Sequence, residues 1–155
     1  MIARESRHET AIRRSDGGYM TCWMVGNTRR FQAAVTQRCV SNLISMYGSS
    51  DFNWLFQREF GDRPVWEDVD NYWDQSPMKH VGNVKTPTLV IHSEQDLRCD
   101  IEQGEQFYVA LKKLGVPTEF IRFPDEPHGL SPMGRTDRRI VRLERIREWF
   151  DRWLK

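Results

Sequence analysis

The chain has 155 residues, 39% hydrophobic, 12% aromatic and 29% charged, which suits one globular domain with its own core and excludes a disordered or fibrous chain. Its 23 basic and 22 acidic residues leave a formal charge of +1, so no overall electrostatic attraction for nucleic acid or an anionic membrane is expected. There is no apolar run of about 18 residues, and the first residues have no apolar leader core; neither a membrane span nor secretion is expected, and the expected location is cytoplasmic. Cys22, Cys39 and Cys99 are odd in number and widely spaced, which argues for reduced, buried thiols rather than a disulfide framework or zinc knuckle. His8, His80 and His92 lack metal-ligand spacing, so no metal or other cofactor is expected.

Residues 1–16 carry Arg4, Arg7, Arg13 and Arg14 against Glu5, Glu9 and Asp16, without apolar periodicity, and read as an irregular arm ahead of a domain over residues 17–155. After the glycine turn at Gly17 and Gly18, a short helix through Cys22 and Val25 should stop near Gly26. Phe31 to Gln37 reads as a buried strand, and residues 40–75 as short aromatic-rich helical pieces broken at Gly61 and Pro64. The apolar run following Pro87 reads as a strand ending at Ser93 and buried on both faces of a parallel sheet. Asp100 can cap a helix carrying Ile101, Phe107 and Leu111, with Gly115 at its stop; Thr118 to Phe123 forms the next strand. A final helix should turn Leu143, Ile146, Trp149, Phe150 and Trp153 to the core, leaving the eight basic and four acidic residues of residues 135–155 as a solvated face rather than a nucleic-acid surface. Strand, helix, strand, helix implies parallel strands joined by right-handed crossovers.

Reactive groups in such sheets gather in loops at the carboxyl ends of strands. Asp96 follows the strand ending at Ser93, and His128 follows the one ending at Phe123. An Asp one strand before a His can orient an imidazole that acts as general base toward a hydroxyl; a His in a Pro-His-Gly loop can also be merely structural. The candidate nucleophile is Ser15, followed by Gly17 and Gly18 but preceded by Arg13 where a Gly-x-Ser-x-Gly elbow needs glycine. The order Ser15, Asp96, His128 is that expected of α/β-hydrolases.

The segments beginning at Gly17, Phe31, Thr86, Glu105 and Phe123 resemble, in order, the C-terminal half of the catalytic domain of the prolyl oligopeptidase family, with the acylaminoacyl peptidase branch fitting best. The resemblance implies a partial α/β-hydrolase fold of about three parallel strands flanked by helices, lacking the N-terminal part of the sheet and the propeller. It also implies a serine peptidase or hydrolase acting on acyl-peptide or ester bonds. By carry-over Ser15 is the nucleophile, Asp96 the acid, His128 the base, Asp16 the backbone oxyanion donor and Arg98 a substrate-pocket arginine.

The elbow departs from the family's Gly-Gly-Ser-Tyr-Gly-Gly by placing Arg13, Arg14 and Asp16 around Ser15. The resemblance further implies that the strand delivering Ser15 and the loop carrying the second oxyanion donor are missing, a loss of about 100- to 1,000-fold in rate. A truncated form of weak or no activity is therefore expected; the alternative is a non-catalytic, self-associating fragment. In either case, an open apolar edge between Phe31 and Gln37 should draw a second copy into a homodimer.

Overall fold

The computed structural model describes residues 10–14 and 16–154, with the backbone alone for residues 10–14, 16, 55 and 56. Four parallel strands, β1 (Thr10–Arg14), β2 (Ala33–Gln37), β3 (Thr88–Ser93) and β4 (Thr118–Phe123), lie in the order β1-β2-β3-β4. Their registers run Thr10 to Ala33, Ala34 to Thr88 and Thr88 to Thr118. Every residue of β2 and β3 is buried, as expected for strands covered on both faces, whereas β4 at the edge is only partly covered.

Two expectations are corrected here. Residues 10–14, read as part of an irregular arm, form β1, which among the described residues joins the parallel, helix-flanked strands expected as a fourth, and a strand does precede position 15. Consequently β2 is paired on both sides, and the edge expected between Phe31 and Gln37 is closed. A five-residue strand with two arginines carries too little apolar signal to be recognised alone; its parallel ladder with β2 defines it.

Helices α1 (Asp16–Asn27) and α5 (Ile101–Lys113) cover one face of the sheet, where Cys22, Val25, Phe107 and Leu111 pack with Ala34 and Val90. Helix α7 (Thr136–Trp153) covers the other, with Ile146 and Trp149 against Ala33, Val35, Leu89 and Ile91, the alternate residues of the same strands. The glycine pair expected to form a turn before α1 lies inside it. A Cβ at Gly18 would stand 2.5 Å from the Gln37 carbonyl oxygen and 2.9 Å from Cys39 Cα, so glycine alone lets α1 approach the end of β2 this closely. Asp100 caps α5 by accepting from the Glu102 N–H, and Gly115 takes φ +69° beyond its end, both as expected.

In α7, Leu143 is exposed rather than facing the core. The inward stripe is Arg142, Ile146, Trp149 and Trp153, at helical spacing, and the Arg142 guanidinium donates to Gln37 Oε1 at 2.7 Å. A buried amide acceptor on β2 thus sets the rotation of the helix. Short helices α2 (Leu43–Ser49), α3 (Asn53–Phe56) and α4 (Val69–Asp74) form a roof beyond the carboxyl ends of the strands, where Val40, Leu43, Met46, Phe60 and Tyr72 pack together. Gln103 of α5, fully buried, holds the roof down: Oε1 accepts from the Ser41 and Asn42 N–H groups, each at 2.8 Å. A four-residue helix, α6 (Leu130–Met133), precedes α7.

Candidate active site

Asp96 sits in the turn between β3 and α5 and is buried. Its Oδ1 accepts from the backbone N–H groups of Arg98 at 3.0 Å and Cys99 at 2.9 Å, which lock the carboxylate in place. The loop after β4 carries His128 toward it: Asp125 takes φ +61° to turn the chain, and the Gln95 N–H donates to the Glu126 carbonyl at 3.1 Å. Glu126, buried, accepts from the Arg135 N–H at 3.1 Å, joining the loop to the start of α7.

His128 Nδ1 lies 2.9 Å from Asp96 Oδ1 and 2.8 Å from Oδ2. A carboxylate only accepts, so the proton belongs on Nδ1, and Nε2 of the neutral ring is then the acceptor nitrogen, the tautomer a general base requires. The His128 side chain is one-quarter exposed against a fully buried carboxylate, so the imidazole can be reached from outside while its partner cannot. His92, expected to be packed, is fully buried behind Asp96, with Nε2 2.7 Å from the Cys99 carbonyl oxygen and 3.6 Å from Asp96 Oδ2.

The structure thus brings Asp96 and His128 together from loops 32 residues apart. Ser15 lies outside the described residues. Asp16 is the first residue of α1 and Arg14 the last of β1, the strand-to-helix junction that a nucleophile elbow needs, at the carboxyl end of the sheet with both loops. Arg98 has an internal partner: its Nε donates to Asp51 Oδ1 at 2.6 Å and its guanidinium lies over the Phe52 ring, 4.4 Å from the centroid. The Asp51 ion pair raises the Arg98 pKa further above its ordinary value.

Cys22, Cys39 and Cys99 are free and buried, as the composition implied. Burial, with the Asp96 carboxylate beside it, pushes the Cys99 thiol well up; contact with Cys22, together with burial, does the same for Cys39, so both stay protonated and unreactive. Among the described residues no cluster of His, Cys, Asp and Glu could hold a metal ion, and no helix is long and apolar enough to cross a membrane. A cavity of ≈ 320 Å³ between Val116, Thr118, Trp149 and Trp153 lies at the amino end of β4, the opposite end of the sheet from Asp96 and His128. Sequence reading missed Arg38, whose guanidinium Nη1 donates to the His128 carbonyl oxygen at 2.6 Å; its place just after a strand end was the one signal available.

A parallel sheet with a buried acid after one strand, a histidine bonded to it after the next, and a strand-to-helix junction upstream is the C-terminal part of an α/β-hydrolase sheet. The chain belongs to the prolyl oligopeptidase family, whose model matches residues 11–155. It is 49% identical over 140 residues to the uncharacterized peptidase YuxL of Bacillus subtilis (strain 168), covering 90% of this chain and 21% of that protein. It is 33% identical over 154 residues to the acylamino-acid-releasing enzyme of Arabidopsis thaliana, covering 94% of this chain and 20% of that enzyme. The acylaminoacyl peptidase of Pyrococcus horikoshii superposes with a TM-score of 0.86 at 36% identity, over 92% of this chain and 23% of that one. The chain is acylaminoacyl peptidase-like and spans about a fifth of the length of these relatives, as the resemblance implied.

Proposed function

We propose that the Asp96–His128 pair serves a serine hydrolase center whose nucleophile is Ser15 and whose substrates are acyl-peptide or ester bonds. The observation that carries this reading is the two-oxygen contact of Asp96 with His128 Nδ1, at 2.9 and 2.8 Å. Ser15 Oγ attacks the acyl carbonyl while His128 Nε2 takes its proton; the same proton then goes to the departing amine or alcohol as the acyl-enzyme forms. Water, activated by His128, returns Ser15 and releases the acid. Asp96 holds the ring and stabilises its cationic form. The Asp16 N–H supplies an oxyanion donor, a role supported by its place at the start of the 12-residue α1, whose first N–H groups have no acceptors within the helix. Arg98, half exposed and two residues from the acid, reads the substrate from its Asp51 perch.

Treatment with a fluorophosphonate probe tests the assignment. Labelling of the parent chain that is lost in Ser15→Ala and His128→Ala supports it. Absence of labelling overturns it in favor of a non-catalytic member of the family. Self-association is part of the proposal, with the contact moved from β2 to β1: among the described residues β1 is paired with β2 alone and stands at the end of the sheet, so a second copy can add its own β1 in antiparallel fashion about a twofold axis. Light scattering at micromolar concentration should give a dimer mass, and a monomer mass overturns this contact.

A further inference from the structure

Arg38 leaves the end of β2 with φ +52°, a left-handed conformation that residues other than glycine and asparagine seldom adopt. Its own N–H donates to the Ile91 carbonyl of β3 at 3.0 Å, so the backbone is fixed on the sheet while the side chain turns toward the loop that follows β4. There the guanidinium Nη1 donates to the main-chain carbonyl oxygen of His128 at 2.6 Å, in a partly buried setting across 90 residues of sequence. A cationic donor on a neutral carbonyl makes a charge-assisted bond, stronger than an ordinary amide contact.

This bond grips a different part of the loop from its other anchors. Glu126 is tied through its carbonyl to Gln95 and through its carboxylate to Arg135, and the Leu130 N–H bonds back to the Pro127 carbonyl. The Arg38 contact falls on the His128 peptide itself. Asp96 holds the imidazole at its Nδ1 end, and Nε2 lies at the far end of the ring, so any shift of the peptide that carries the ring moves Nε2 with it. Fixing the peptide from which the ring projects limits that shift.

We propose that Arg38 is a positioning residue for His128: by donating to the His128 main-chain oxygen it fixes the peptide behind the imidazole, so that Nε2 is held in one place. The inference rests on the Asp96–His128 reading above and extends it to a residue outside the three reacting groups. The strained turn is the means by which a residue at the end of β2 reaches the loop after β4, two strands away.

The test is the imidazole Nδ1–H proton resonance of His128 in the full chain labelled with ¹⁵N, assigned by its loss in His128→Gln. Arg38→Asn keeps a residue that accepts the left-handed turn but is too short to reach the carbonyl; Arg38→Lys keeps the strain, the charge and the reach. Exchange of this proton with water should speed up about tenfold in Arg38→Asn, with the β2 and β3 amide resonances unchanged, and should return most of the way to the parent rate in Arg38→Lys. An Nδ1–H exchange rate in Arg38→Asn within about twofold of the parent overturns the proposal. So does equal loss of protection in the two variants, or failure of Arg38→Asn to fold, since either assigns the residue to the turn alone. The measurement needs no turnover, so a chain that fails to label at Ser15 removes the hydrolase reading and leaves this result standing. Where labelling occurs, Arg38→Asn should slow it at saturating probe by about 10- to 100-fold with the half-saturating concentration unchanged.

Discussion

Replacing Asp96 separates its two duties, holding the turn and holding the imidazole. In Asp96→Ala the backbone N–H groups of Arg98 and Cys99 lose the oxygen that they share at 3.0 and 2.9 Å, and His128 Nδ1 loses both of its contacts. A buried donor left without an acceptor costs about 1–3 kcal/mol. Two donors set an upper range of about 6 kcal/mol, reduced because the Arg98 bond is partly exposed and because the carboxylate's own burial cost disappears. The expected loss is about 2–4 kcal/mol, and with a urea m-value near 2 kcal/mol/M the unfolding midpoint should fall by about 1–2 M. Asp96→Asn differs in a way that the geometry fixes. Its Oδ1 can still accept from both backbone N–H groups, so its stability should stay within about 1 kcal/mol of the parent. Its Nδ2 then faces His128 Nδ1 as a donor, forcing the imidazole proton onto Nε2, where the ring cannot act as a base; fluorophosphonate labelling should fall about 10⁴-fold. Urea unfolding followed by tryptophan fluorescence, alongside probe labelling, reads both quantities. An Asp96→Ala midpoint within about 0.3 M of the parent, or an Asp96→Asn chain that labels normally, would refute the reasoning.

Three other perturbations test the packing. At Gly104 a Cβ would stand 2.8 Å from His92 Nδ1 and 3.3 Å from Phe120 Cζ, so Gly104→Ala should cost about 1–3 kcal/mol by urea unfolding; an unchanged midpoint would mean that α5 does not lie this close to β3. Arg142→Ala, which leaves Gln37 Oε1 without its 2.7 Å donor, should cost about 1–3 kcal/mol, whereas Leu143→Lys on the exposed side of α7 should change stability by less than about 0.5 kcal/mol. The reverse order would reinstate the helix rotation expected from sequence. Finally, the Cys39 and Cys99 thiols titrate higher in the folded chain than in the unfolded one, so their contribution to stability is complete below the unfolded thiol pKa of about 8.5 and is lost as pH rises above it. Unfolding free energy should fall by about 1.4 kcal/mol per pH unit for each thiol between about pH 9 and 10.5, and Cys99→Ala should remove one such contribution. A slope unaffected by that substitution would show that Cys99 ionises equally in both states.

The strands β3 and β4, the helix α5 between them, and the two loops bearing Asp96 and His128 were legible in the sequence. Their signals are local: an unbroken apolar run for a strand buried on both faces, a 3.6-residue periodicity with Asp100 and Gly115 at its ends, and polar loops after each strand. Buried thiols at Cys22, Cys39 and Cys99 followed from composition in the same way. The family was legible from the same segments, since the reactive loops of an α/β sheet have to follow its strands.

What only the tertiary structure decided concerns contacts that carry no periodic signature. β1 is a strand because β2 offers it a ladder, a partnership that five residues with two arginines do not announce. Leu143 faces out and Arg142 in because Gln37, more than a hundred residues earlier, supplies a buried acceptor that favors guanidinium over leucine at that point of α7. Arg38 reaches the His128 carbonyl because a left-handed turn at the end of one strand aims a long cationic side chain at the loop of another. Sequence determines an element when hydrophobic burial repeats at the element's own period; a single hydrogen bond between distant loops has no period, and becomes visible only when the chain has folded back upon itself.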